Sequence, residues 1–102
     1  VRDLLYGPAK EQQARVLVHA PLHRSPHDRG RRVHAINVET TRALLHLAEH
    51  HPTLRRLVFR SHCEIYEIRP DQPTVFGEDQ PIDFSPAAPQ WLRDRVEADL
   101  TV

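Results

Sequence analysis

The chain has no methionine, one cysteine (Cys63), one lysine (Lys10) and three glycines in 102 residues. A single cysteine excludes an intramolecular disulfide and fits a reducing cytosol. No apolar run approaches the roughly 18 residues of a membrane span, and no signal-peptide core opens the chain. Net charge is lacking too: 14 Lys and Arg balance 14 Asp and Glu. Neither nucleic acid nor a membrane is therefore expected as a partner. What the chain does have is arginine, eight histidines and nine prolines. That mixture reads as the codon bias of a GC-rich bacterial genome, and it weakens the histidines as evidence for metal. A length of 102 residues supports one small domain with a modest core. Starting at Val1 without methionine, the chain is expected to be a piece of something longer.

Two short apolar runs set the organisation. RVLVHA (15–20) ends at Pro21 and predicts a buried strand of parallel type, and Arg56 to Ser61 repeats the signature. Between them, PLHRSPHDRGRR (21–32) reads as a loop. From about Val33 to His50 the pattern turns helical. Val33, Ile36, Thr40, Leu44, Leu47 and Ala48 share one face, with Arg42, His46 and Glu49 away from it. Pro52 stops that helix. Strand, helix, strand is a βαβ unit. A proline-rich irregular stretch follows, with a short strand entertained at Thr74 to Phe76. QWLRDRVEADL (90–100) then predicts a helix with Trp91, Arg95 and Asp99 along one side. One βαβ unit cannot cover both faces of its sheet, so a larger parent α/β domain is expected.

The stretch VFRSHCEIYE (58–67) packs Ser61, His62, Cys63 and Glu64 side by side at a strand end. Neighbours on an extended chain point to opposite faces, so His62 is poorly placed as a base for Cys63. Cys63 is expected to be a buried structural thiol. His19, His23 and His27 recur every four residues, but Pro21 and Pro26 interrupt them and His19 belongs to the strand. No metal site is expected from them. Position says more than residue type. In open parallel sheets ligands bind beyond the carboxyl ends of strands, and Ala20–Pro21 and Ser61–His62 occupy that edge.

Five stretches in order resemble an extended short-chain dehydrogenase/reductase, of the NAD-dependent epimerase/dehydratase type. VLVHAP (16–21) is similar to the family's strand ending in a His-Leu-Ala-Ala-like tetrapeptide. NVETTRALLHLAE (37–49) is similar to its Asn-Val-x-Gly-Thr helix, and RSHCEIYE (60–67) to its Ser-Ser-x-x-Val-Tyr-Gly strand end. GEDQP (77–81) and WLRDRVEADL (91–100) resemble the Glu-Asp-x-Pro loop and the catalytic helix.

The resemblance implies part of a Rossmann-type doubly wound parallel sheet. Residues 1–102 would be a single partial domain, the central to C-terminal half of an NAD(P)-binding domain. The substrate domain is not in this chain, and Gly7, Gly30 and Gly77 form no pyrophosphate loop. The implied cofactor is NAD or NADP, and the implied further ligand a nucleotide-sugar or other small molecule. Ala20, Pro21, Ser61 and Arg95 would face the cofactor.

The family's catalytic set is altered. Asn37 is kept, His62 stands at the serine position, Trp91 at the tyrosine and Arg95 at the lysine. Indole is a donor only and does not titrate in this range, so Trp91 cannot replace the tyrosine. Arg95 stays charged and can bond a ribose hydroxyl. Three readings follow: a dinucleotide binder without the standard proton transfer, a non-catalytic sensor or interaction module, and an oxidoreductase with His62 as acid/base. An isolated chain is expected to be marginal or to associate through unpaired sheet edges, a homodimer included.

Overall fold

A computed structural model describes residues 1–20, 27, 29–72 and 75–102. Pro21, His23 and Thr74 lie outside the described residues. The protein is mixed helix and strand. Helix α1 comprises Arg2–Leu4 and a π-helical turn, Leu5–Ala9. Strand β1 is Val16–His19 and β2 is Arg56–Phe59. Between them helix α2 runs through Arg31–His34, a π-helical turn Ala35–Glu39 and Thr40–Glu49. Helix α3 is Gln90–Thr101.

The two strands pair in parallel, Val16 opposite Arg56 through His19 opposite Phe59. The strand–helix–strand order expected from the apolar runs is therefore present. A hydrogen bond from Arg60 N to His19 O (2.9 Å) continues the pairing past the strand ends. Leu17 turns inward onto a core of Leu5, Leu44 and Leu54, with Tyr6, Leu47 and Ala48 around it. Val16, Val18 and Val58 point the other way and are 53%, 64% and 42% exposed. Among the described residues, no element packs on that sheet face.

His51 ties α1 to this core. Its Nε2 donates to the Leu5 carbonyl (2.7 Å), and its Nδ1 accepts from the backbone N–H groups of Thr53 and Leu54 (3.3 and 3.2 Å). Both ring nitrogens are used in one tautomer, so the buried imidazole is satisfied.

The α2 face departs from the expected one. Val33, Asn37, Val38, Thr41 and Leu44 are buried, whereas Ile36 is 39% exposed and Thr40 half-buried. The π-helical turn Ala35–Glu39 explains the shift: its wider turn slips the 3.6-residue period between Val33 and Leu44. Cys63 also departs, being exposed. It opens a 3₁₀ turn, Cys63–Ile65, that buries Ile65 instead. No strand forms at Val75 and Phe76; among the described residues after β2, the strand pairing is limited to an isolated bridge, Tyr66 to Ile82.

Candidate functional site at the carboxyl edge of the strands

Helix α3 packs against the π-helical turn of α2 and against the 3₁₀ turn that follows β2. That arrangement brings residues some thirty positions apart to one place. The Arg95 guanidinium donates to the Glu64 carboxylate and lies over the Trp91 ring, 4.8 Å from its centroid. Glu64 Oε2 in turn sits 3.7 Å from His62 Nδ1. His62, Glu64, Arg95 and Trp91 form a continuous chain. The Arg95 side chain is 12% exposed while Glu64 is 52% exposed, so the carboxylate is the group at the surface.

Of the positions marked in the sequence, Ala20 directly follows β1 and Ser61 lies two residues past the end of β2; both are exposed. Asn37 is buried in the π-helical turn, where its carbonyl accepts the Thr41 hydroxyl proton (2.8 Å). With that proton committed, His19 Nε2–H is the donor in its 2.9 Å contact to Thr41 Oγ1. The end of β1 is thus pinned to the Asn37 turn. Burial lowers the His19 pKa from its ordinary value.

A second polar link sets the angle of α3. Asp94, buried, faces His34 Nδ1 at 3.0 Å. The hydrogen bond to Asp94, aided by the charges of Asp94, Glu97 and Glu39, raises the His34 pKa. Gln90 adds a reciprocal pair: its Oε1 accepts from Gly30 N (2.8 Å) and its Nε2 donates to Gly30 O (3.0 Å).

Glu64, one of the four residues grouped at the strand end, takes a role that the sequence alone did not assign. It is visible beside His62 in RSHCEIYE, but its partner Arg95 is 31 positions away, and no local spacing announces such a pair.

The chemistry of the chain of four is that of binding more than of proton transfer. Arg95 has five N–H donors, of which Glu64 occupies the outer end, so a hydroxyl or anion can still be bonded. Trp91 supplies an apolar plane and neutralises nothing. His62 contributes an imidazole, whose two ring nitrogens can donate and accept. At 3.7 Å its contact with Glu64 is an ion-pair distance, longer than a hydrogen bond. The 102 residues offer no glycine cluster of the kind that holds a dinucleotide's pyrophosphate.

No family model, curated protein or solved structure matches the chain.

Proposed function

We propose that the chain is an NAD(P)-binding unit of a Rossmann-type sheet, of the extended short-chain dehydrogenase kind. In this reading it lacks tyrosine-dependent proton transfer. One observation carries the proposal. The positions matching the family's serine, tyrosine and lysine (His62, Trp91 and Arg95) join through Glu64 beyond the end of a parallel strand. Such an edge is where open parallel sheets bind ligands. A dinucleotide supplies hydride transfer when bound. Ser61 and Ala20 would line it, Arg95 would bond a ribose hydroxyl, and the Trp91 plane would exclude water. The lone Cys63 suits a cytoplasmic setting.

Calorimetric titration of NAD and of NADP tests this. Saturable heat that weakens in an Arg95→Ala variant is the expected result. A flat titration of folded protein with both dinucleotides contradicts it. If turnover of a sugar-nucleotide substrate is found, His62→Ala abolishing it would identify His62 as the acid/base.

A second reading rests on the bare sheet face: Val16, Val18 and Val58 lie together on the side away from α2. An apolar face of that kind suits an interaction module that keeps the fold without turnover.

A further inference from the structure

The last turn of α2 and its C-cap residue His50 read HLAEH, residues 46–50, with His46, Glu49 and His50 at i, i+3 and i+4. Residues so spaced share one helix face. All three side chains are exposed, and one ligand atom from each lies within 4.8 Å of the others. The imidazole centroids of His46 and His50 are 5.2 Å apart. We propose that this turn binds a divalent transition-metal ion of the zinc class, with two imidazoles and one carboxylate as ligands and water completing the tetrahedron.

Three further observations point the same way. His50 Nδ1 lies 3.1 Å from the His46 carbonyl, a contact in which only the ring nitrogen can donate. That bond places the proton on Nδ1 and leaves the Nε2 lone pair facing outward. Metal-binding histidines are commonly fixed in this way, by a carbonyl that takes the other ring proton.

The second observation is position. The ligands stand on the last turn, where unpaired carbonyls give the helix its negative end and favour a cation. The third concerns the neighbouring positive charge. Arg42, one turn earlier, is engaged with Glu97 (2.7 Å), and Arg55 donates to the carbonyls of Pro52 and Leu54 (3.1 and 3.0 Å). The guanidinium nearest along the helix is thus compensated.

Geometry asks for a small closure. Ligands about 2.0–2.1 Å from a tetrahedral zinc stand roughly 3.3 Å from one another. Exposed side chains reach that by rotamer adjustment, without moving backbone. The ligand set, two nitrogens and an oxygen, suits zinc, copper or nickel and disfavours magnesium or calcium. The site is remote from the strand-end cluster: it borders an open cleft of about 720 Å³ that is also lined by Arg55, Arg56 and Leu57, at the start of β2. It is independent of the dinucleotide reading.

The test is zinc titration of the whole chain in competition with a chromophoric chelator, beside His46→Ala, His50→Ala and, as a control among the other histidines, His27→Ala. The proposal expects one zinc per chain in the wild type. Affinity should fall about tenfold or more in either helix variant and stay unchanged in His27→Ala. Zinc should also raise the melting temperature of the wild type and not that of His50→Ala, since an ion bound only by the folded helix stabilises it. Alanine is a good helix former at exposed positions, and circular dichroism confirms that the variants fold. Equal zinc affinity in His50→Ala and wild type overturns the site, and so does a wild type that takes up no zinc.

Discussion

Three histidines with different partners do different work here. His51 is structural: buried, it serves the Leu5 carbonyl on one side and two backbone N–H groups on the other. Replacing it with alanine strands these groups in the core. His51→Ala should therefore lose about 2 to 3 kcal/mol in a urea titration, whereas an unchanged midpoint would show the groups to be rehydrated. His34 and His19 respond to pH in opposite senses. The pKa of His34 is raised, so its contribution is complete below the ordinary value of 6.5 and is lost as pH climbs through the raised one. His19, lowered by burial, stabilises above 6.5 and its contribution is lost as pH falls. The melting-temperature gap between wild type and His34→Gln should accordingly be wider at about pH 5.5 than at about pH 8.5. A gap independent of pH would remove the Asp94 pairing from the stability of the α2–α3 contact.

At the scale of elements, strand, helix, strand and final helix were legible from apolar runs and from Pro52, because those signals are local. Other features were not, helix α1 among them. The π-helical turn of α2 has no sequence marker, and it moved Ile36 out of the face that Val33 and Leu44 share. Cys63 looked like a small apolar residue in an apolar stretch, but the chain leaves the strand at Phe59 and turns, so the burial falls to Ile65. The site was legible in part: the positions of His62, Trp91 and Arg95 could be marked, while the carboxylate joining them could not, since Glu64 meets Arg95 only through tertiary packing. The start of α2 offers a clean test of local geometry. Gly30 precedes the helix with φ 96° and ψ 178°, and a methyl group there would meet nothing within 4 Å. Only glycine adopts that backbone readily, so Gly30→Ala should cost about 1 to 3 kcal/mol through strain alone. A neutral outcome in chemical denaturation would mean that the backbone relaxes without disturbing the Gln90 pair.

As a whole the molecule is a slab of 52 × 31 × 18 Å with a radius of gyration of 15.9 Å. A compact chain of this length has about 13 Å. The cause is visible in its layers: among the described residues, helices cover one side of a two-stranded sheet and none covers the other side, with Val16, Val18 and Val58. No helix among the described residues is long and apolar enough to cross a membrane. Unpaired edges and an apolar face invite association. Sedimentation should show mass rising with concentration for the wild type and less so for Val18→Lys, and a wild type that stays monomeric throughout would speak against it.

The reading of the strand edge as a dinucleotide site stands or falls on Trp91, the single tryptophan. Its emission should be followed while NADH or NADPH is added, because a reduced nicotinamide near the indole quenches it by energy transfer. A cofactor seated beside Arg95 predicts saturable quenching that weakens in Arg95→Ala. Emission that stays constant in folded protein, up to millimolar dinucleotide, would contradict a cofactor at that edge.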